Sequence, residues 1–421
     1  MFLRALYTVI LFIIAPFFLY GLYKKKTGKP SVGRRWKEHF GVTPPLRTSE
    51  QPIWIHAASV GEVLAITPLI KQIKRSTPDM AILLTTTTPT GAKQAESLRQ
   101  WVEHRYAPLD FPFALSRFLN CVEPKQLLIV ETELWPNMLH AAAKRNIPVH
   151  LVNARLSEKS YRGYRKIARL FKSMAEDLTG VICQCQDDMQ RFAQLGVAEE
   201  KLKISGSIKF DISINRNILE AGAGLRSAIS THRPVWIAAS THQGEDEIIL
   251  DAHKKVVDQF PQSLLILVPR HPERFSAVKQ LAEQQFRTVA RTETNTISPD
   301  VEVYIGDTMG EMLTLMGASD VCFMGGSLLG KKVGGHNLLE PAALGLPILT
   351  GPSFYNFTDI THSLCHVGSC TITPDAARIA SHVITLITNP ILRKELGAKA
   401  KQVVDGNRGA LNRTLTYLNL N

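Results

Sequence analysis

The stretch DVCFMGGSLLGKKVGGHNLLEPAALGLPILTGP, residues Asp320–Pro352, contains in one piece the pattern that decides the fold. Its apolar run Val321–Met324 predicts a buried parallel strand, which a glycine-rich loop follows. His336–Leu344 predicts a helix that stops at Gly345, and Pro347–Thr350 predicts the next strand. Glycines let the backbone come close to a ligand, and the free N–H groups of a helix start favour an anion. The stretch thus predicts a phosphate or nucleotide site, against the alternative of a plain strand-to-helix turn.

The same alternation of strand and helix runs through both halves of the chain. Apolar runs predict strands at Pro52–Ala57, Met80–Thr86, Gln126–Val130, Pro148–Val152, Val181–Cys185, Lys203–Ser205, Val235–Ala239, Leu264–Val268 and Val301–Ile305. Between the halves, residues 212–232 lack a clear strand. This pattern predicts an α/β fold of two Rossmann-like domains, 31–211 and 212–421, that face each other across a cleft. The last helices are expected to pack back on the first domain.

The composition is that of a globular protein with large cores and a basic surface. The chain has 421 residues, of which 45% are hydrophobic, and a formal net charge of +12. This charge favours anionic partners, namely nucleic acid, an acidic membrane surface or phosphorylated substrates. Because no nucleic-acid recognition module is visible, we expect no nucleic-acid partner. The six cysteines form no CxxC pair, which is typical of a reducing compartment.

Residues 1–30 predict a membrane anchor with a basic flank. Phe2–Tyr23 is mostly apolar and about long enough to span a bilayer. The basic residues that follow it are Lys24, Lys25, Lys26, Lys29, Arg34, Arg35 and Lys37. By the positive-inside rule, this flank puts the bulk of the chain on the cytoplasmic face and attracts anionic lipid head groups. A helix kinked at Pro16 that lies in the membrane surface is an alternative, and a cleaved signal peptide is another.

Polar side chains follow several predicted strands of the first half. Ser59 can cap the next helix, and Glu62 either completes that capping arrangement or acts as a general base. Glu131 and Glu133 come directly after a buried strand, where carboxylates are costly unless they are paired or used. Arg155 follows the next strand and is suited to an anionic acceptor or a sugar. The first half therefore predicts a site rich in carboxylates.

The second half contains basic residues suited to an anion and polar residues suited to a nucleoside. Arg270 and His271 follow a predicted strand and would clamp a phosphate or carboxylate, unless they pair with Glu273. Asn337 and Glu340 are three residues apart and share a helix face. Glu340 would accept two ribose hydroxyl hydrogens, or it complements the helix dipole at the surface.

Seven motifs, in this order along the chain, resemble those of the Kdo transferases. They are SVGE (Ser59–Glu62), ETELWPN (Glu131–Asn137), NARLS (Asn153–Ser157), GSIKFD (Gly206–Asp211), PRHPER (Pro269–Arg274), DTMGEM (Asp307–Met312) and GGHNLLEPA (Gly334–Ala342). That family transfers 3-deoxy-D-manno-octulosonic acid, Kdo, from CMP-Kdo to lipid A precursors such as lipid IVA in lipopolysaccharide synthesis. The resemblance runs from the N-terminal segment to the last helices.

The resemblance implies an inverting glycosyltransferase of the type with two Rossmann-like domains, called GT-B. Glu62 would be the general base, while Glu131 and Lys209 would stabilise the transition state, with Glu133 as the alternative to Glu131. The residues implied to bind CMP are Pro269, Arg270, Met309, Gly310, Glu311, Asn337, Leu338, Leu339 and Glu340. The residues expected to contact the phosphate, Kdo or the acceptor are Ser59, Gly61, Arg155, His271, Gly335 and His336.

The resemblance also implies the partners. These are CMP-Kdo, a lipid A precursor and the lipids of the inner membrane, on whose cytoplasmic face the enzyme would work. No metal or other cofactor is implied, and the sequence has no DxD-type motif of the kind that a metal-dependent transferase needs. Two alternatives remain: another GT-B enzyme that moves a sugar from a UDP-sugar to a lipid, and a non-catalytic, membrane-tethered nucleotide-binding protein.

Overall fold

The computed structural model describes residues 2–23, 30–48, 50–212, 214–294 and 296–420. The chain forms two compact units, one of Met1–Asp211 with Gly409–Asn421 and one of Ile212–Arg408. Each unit is built on one sheet of seven parallel strands. The first four lysines of the predicted basic flank, Lys24, Lys25, Lys26 and Lys29, lie outside the described residues.

The sheet of the first unit has a doubly wound order. Its strands are β1 (Ile53–His56), β2 (Ile82–Thr86), β3 (Glu103–Tyr106), β4 (Gln126–Val130), β5 (Val149–Ala154), β6 (Gly180–Cys183) and β7 (Leu202–Ile204). They lie in the order β3-β2-β1-β4-β5-β6-β7, so the direction of winding reverses between β1 and β4. Ile53 and Ile55 pack in one core cluster and Trp54 in another. Both faces of the sheet are therefore buried, which is why its strands are nearly continuous apolar runs.

Helices precede or connect these strands. They are α1 (Phe2–Tyr23), α2 (Val60–Ser76), α3 (Pro89–Ala95), α4 (Pro112–Val122), α5 (Pro136–Ala143), α6 (Glu158–Arg165), α7 (Ala168–Asp177) and α8 (Gln186–Gln194). A last helix, α17 (Ala410–Tyr417), belongs to the same unit and contacts α2. The Asp211 carboxylate accepts hydrogen bonds from the Gly409 and Leu411 N–H groups, which holds the start of α17 in place.

The second unit repeats the plan. Its strands are β8 (Val235–Thr241), β9 (Leu264–Pro269), β10 (Thr288–Ala290), β11 (Val303–Ile305), β12 (Val321–Met324), β13 (Ile348–Thr350) and β14 (Cys370–Ile372). Its helices are α9 (Arg216–Ile229), α10 (Asp246–Gln259), α11 (Phe275–Glu283), α12 (Met312–Gly317), α13 (Leu339–Ala343), α14 (Thr358–His366), α15 (Ala376–Thr388) and α16 (Pro390–Asp405). The strand order is β10-β11-β9-β8-β12-β13-β14, with the reversal between β8 and β12.

Several predicted elements differ from the structure. The predicted helix at 336–344 is shorter, because α13 begins only at Leu339. The short strands β3, β10 and β14 were not predicted; β3 consists of Glu103, His104, Arg105 and Tyr106, which carry little apolar signal. These strands form because the neighbouring strand supplies their backbone hydrogen bonds, a contact that is not local in sequence.

The N-terminal helix α1 packs against the first unit along one side. Ala15 is buried, and the Phe12 ring lies 4.7 Å from the Phe111 ring. Asn137 Nδ2 donates to Thr8 Oγ1 at 3.0 Å. No helix in the described part of the chain is sufficiently long and apolar to cross a membrane. The predicted spanning anchor is therefore not supported.

Candidate active site

Glu62 lies in the first turn of α2, directly after β1, where the strand order of the first sheet reverses. Ligands of doubly wound sheets bind at such switch points. Its carboxylate accepts hydrogen bonds from the Ala58 N–H and the Ser59 hydroxyl, both at 2.8 Å, and Ser59 also caps α2. Burial raises the pKa of Glu62 to about 7 in spite of these two bonds, which lower it. The Glu62 carboxylate therefore completes the helix cap. With this pKa it is also suited to proton abstraction near neutral pH.

Glu131 follows β4, which is the neighbour of β1 across the switch point. Its φ of 60° is rare for a residue other than glycine. Such conformations cluster at functional sites, where the surrounding structure holds them. Glu131 Oε1 accepts a hydrogen bond from Lys209 Nζ at 2.6 Å, and both side chains keep some solvent exposure. The two residues predicted to stabilise the transition state thus form an ion pair.

Glu133 has different surroundings. It lines an apolar cavity beside α1, and burial raises the pKa of its carboxyl. The structure therefore distinguishes the two carboxylates that the sequence left open, since the ion pair with Lys209 is made by Glu131. Their catalytic roles stay predictions.

Asn153, near the end of β5, positions the segment that carries Lys209. Its φ is 52°, and its Oδ1 accepts hydrogen bonds from the Ile208 N–H at 3.2 Å and the Ser207 hydroxyl at 3.4 Å. The sequence placed Asn153 in a motif without a role. Its neighbour Arg155 has an exposed side chain, so it is accessible to an acceptor.

Gly61 has no steric reason to be glycine. A Cβ atom added there would come no closer than 3.9 Å to another atom, the Ser59 Oγ. The space in front of it is open, which is compatible with the predicted contact to substrate.

In the second unit, a cavity of about 350 Å³ brings together most of the residues predicted to bind CMP. The predicted residues in its wall are Pro269, Arg270, Met309, Gly310, His336, Asn337 and Glu340. Pro269 is the last residue of β9, and the others come from segments that follow β9, β11 and β12, at the carboxyl ends of the strands. Apolar side chains, among them Val268 and Phe275, complete the wall. Its size and mixed lining are those of a small-molecule site.

The remaining predicted CMP residues lie outside this wall. Leu338 and Leu339 are buried, so their side chains belong to the core. The Glu311 carboxylate accepts hydrogen bonds from Arg291 at 2.9 and 3.2 Å, and this ion pair lowers the pKa of Glu311. Sequence reasoning missed Arg291 because it follows β10, a three-residue strand; the short run Thr288–Ala290 was the only local signal.

The glycine-rich loop after β12 binds a carboxylate of the protein itself. The buried Glu245 side chain accepts hydrogen bonds from the N–H groups of Gly326, Ser327 and Leu328 at 2.7 to 2.9 Å. It accepts a fourth from the His242 N–H. These three loop N–H groups are therefore not free for a ligand phosphate. The predicted contacts of Gly335 and His336 with the phosphate stay predictions. The Gly335 N–H is also engaged, by the Gly326 carbonyl at 2.8 Å.

Histidines stand beside this loop. His336 Nε2 and His242 Nε2 are 2.9 Å apart, and the two rings stack with centroids 5.1 Å apart. The His271 ring meets His242 edge-on. Burial, reinforced by neighbouring positive charge, lowers the pKa of His336 to about 4, so the pair is neutral near pH 7 and one ring donates to the other. Gly326 makes this possible, since a Cβ there would lie 2.8 Å from the His336 ring.

The described residues do not gather a set of metal ligands at either site. Within residues 2–420, apart from the few that the structure leaves undescribed, no group of three or more His, Cys, Asp or Glu side chains is placed to hold a metal ion. Metal independence nevertheless stays a prediction.

Two doubly wound sheets with polar side chains gathered at their switch points define an α/β protein of the nucleotide-binding type. Comparison with known families makes this assignment specific. Residues 34–212 match the family described as 3-deoxy-D-manno-octulosonic-acid transferase (kdotransferase), and residues 239–403 match glycosyl transferases group 1.

Individual relatives agree with these matches. The chain is 40% identical to 3-deoxy-D-manno-octulosonic acid transferase of Haemophilus influenzae, over 99% of this chain and 98% of that protein. It is 33% identical to the protein of the same name from Bordetella pertussis, over 87% and 86%. A solved structure, the C-terminal CMP-Kdo binding domain of WaaA from Acinetobacter baumannii, is 32% identical, covers 45% of this chain and 99% of that one, and has a TM-score of 0.43. The chain belongs to the Kdo transferase family of glycosyltransferases.

Proposed function

We propose that this protein transfers Kdo from CMP-Kdo to a lipid A precursor, with inversion at the anomeric carbon. The observation that carries the proposal is Glu62, a buried carboxylate with a pKa of about 7 at the switch point of a doubly wound sheet. Family membership supplies the substrates, because full-length relatives are named for Kdo transfer. The facing of the two units across a cleft stays a prediction of the resemblance.

The first unit supplies the base. Glu62 takes the proton from an acceptor hydroxyl, and the resulting oxygen attacks the anomeric carbon of Kdo. Inversion needs only this one displacement, so no covalent bond to the protein forms. The ion pair of Lys209 with Glu131 provides a cation held at a fixed position, and we propose that it stabilises charge that develops in the transition state.

The second unit holds the leaving group. As the bond between Kdo and the phosphate breaks, its electron pair goes to the CMP phosphate. We propose that the exposed guanidinium of Arg270 and the His242–His336 pair stabilise this charge, because the nearby loop N–H groups are already bound to Glu245. Asn337 and Glu340, in the same cavity wall, are proposed to bind the nucleoside. No metal is required by this scheme.

We propose that α1 lies in the cytoplasmic surface of the inner membrane. One side of α1 packs against the first unit, while apolar side chains at helical spacing remain exposed on it. They include Phe2, Leu6, Val9, Ile10, Phe17 and Tyr20. A helix attached in this way would bring the enzyme to its lipid acceptor.

Mass spectrometry of the reaction product tests the function. Purified protein is incubated with CMP-Kdo and a tetraacylated, bisphosphorylated lipid A precursor, and the expected product has gained whole Kdo units. Glu62→Gln serves as the matched inactive control. A wild-type protein that adds no Kdo, or that transfers a sugar from a UDP-sugar instead, contradicts the proposal.

A further inference from the structure

An apolar cavity of about 310 Å³ lies between α1 and the body of the first unit. Leu11, Ile14 and Leu19 of α1 form one side of it. Leu109 and Phe111 are in the opposite wall. The helix that carries the exposed apolar face therefore also closes a cavity within the unit.

The cavity reaches the base. Its wall includes Ala58 and Ser59, and these two residues donate the hydrogen bonds that hold the Glu62 carboxylate. If the hydroxyl of a ligand lies at Glu62, the part of the ligand next to that hydroxyl lies at this wall. Whatever part of that ligand enters the cavity must be apolar, because the lining offers few polar atoms.

Asp110 and Glu133 are the carboxylates in the cavity wall, and the Asp110 carboxylate is already engaged. Asp110 lines the cavity, but its oxygens accept hydrogen bonds from the Asn137 and Met138 N–H groups at 3.0 and 2.7 Å. A sugar or nucleotide would lose its hydration there without gaining equivalent partners. A hydrocarbon chain loses nothing and buries its surface.

We infer that this cavity binds an acyl chain of the lipid acceptor and so sets the position of the acceptor hydroxyl at Glu62. The inference rests on the proposed function, since it names the part of the same acceptor that the first unit holds. The predicted ligand group is a hydrocarbon chain attached close to the reacting sugar. An occupied cavity also keeps water away from Glu62, which preserves the burial that raises the pKa of its carboxyl.

Two adjacent isoleucines of α1 provide a matched test. Ile14 lines the cavity, whereas Ile13 does not, and both are more than half exposed. Ile14→Asn and Ile13→Asn remove the same apolar surface from the helix. The KM for a tetraacylated acceptor is divided by the KM for its deacylated counterpart, with both acceptors in detergent solution and no vesicles present.

We expect Ile14→Asn to raise this ratio roughly tenfold and Ile13→Asn to leave it within about twofold of wild type. Equal ratios for wild type and both variants overturn the inference. A different result would contradict the proposed function itself: wild type that transfers Kdo to neither acceptor.

Photo-crosslinking gives a second readout that needs no variant. The probe is a tetraacylated lipid A precursor with a diazirine at the end of an acyl chain. After irradiation, peptide mapping is expected to find the label on Leu11–Leu19 or on Leu109–Phe111. Labelling confined to the exposed Phe2–Ile10 turns, as a general membrane contact would give, contradicts the assignment.

Discussion

Each unit has a buried glutamate just after the first strand of its sheet, and the two glutamates have different surroundings. Glu62 follows β1 and accepts two hydrogen bonds, both from its own turn. Glu245 follows β8 and accepts four N–H bonds, three of them from the loop after β12. Both carboxylates lie where the strand order reverses.

The difference shows how one position in a fold serves two purposes. Four N–H groups donate to the Glu245 carboxylate, which thereby links the segment after β8 to the loop after β12. Glu62 has only local donors, and burial outweighs them, so its pKa rises to about 7. The carboxylate of the first unit is therefore the one proposed to act as a base, while the second unit uses its carboxylate to shape the loop beside the proposed CMP site.

Glu62→Gln should have the largest effect. The amide keeps the size of the side chain but cannot accept a proton, so we expect kcat to fall roughly 10³-fold. The rate of CMP release measures kcat, and thermal unfolding checks that the first unit is intact. A loss of less than tenfold would mean that another group is the base.

Glu245→Gln should instead destabilise the second unit, by about 3 kcal/mol. The amide NH₂ would face N–H groups that need an acceptor, and those groups would stay buried and unpaired. Calorimetry of the full chain measures the effect as a lower unfolding temperature of the second unit. Glu247→Gln, an exposed substitution in the first turn of α10, is the control. If the Glu245→Gln protein is as stable as wild type, Glu245 does not have this structural role.

Substitution of Glu131 sharpens the comparison within the first unit. We expect Glu131→Gln to lower kcat/KM roughly 10²-fold, because it breaks the ion pair that holds Lys209. Lys209→Met should act similarly, and the double variant should lose little more. Glu133→Gln is the control and should cost less than tenfold. If Glu133→Gln has the larger effect, the assignment is reversed.

The pH dependence tests Glu62 without a substitution, and its effect within any one pH unit should be the smallest of the four. We expect kcat/KM to rise about tenfold per pH unit up to about 7 and then to level off, since Glu62 must be ionised to act as base. Its folded-state pKa lies above the ordinary 4.5, so its contribution to stability is present below 4.5 and is lost as pH rises through about 7. Glu62→Gln should therefore become more stable relative to wild type across this range. A wild-type profile flat from pH 5 to 8 would contradict the raised pKa.

Much of the fold follows from local patterns. The apolar runs Val321–Met324 and Gln126–Val130 are β12 and β4 with the predicted bounds, because a strand buried on both faces needs an uninterrupted apolar sequence. Motifs after such strands pointed to Arg270 and Asn337, which line the same cavity. Short polar strands such as β3 were missed, because their partners, and not their composition, make them strands.

The sequence by itself determined the α/β plan, the family and the residues to examine, since periodicity and motif spacing are local properties. Only the tertiary structure decided what each polar group does. The glycine loop of residues 325–335 was predicted to face a phosphate, and the structure shows that three of its N–H groups bind Glu245, which lies about 80 residues earlier in the chain. Likewise, α1 was predicted to span a membrane from its composition, and its packing against Phe111 and Asn137 shows that one side belongs to the first unit. In both cases a contact with a distant segment determines the role: Glu245 accepts the hydrogen bonds of the loop N–H groups, and the first unit covers one side of α1.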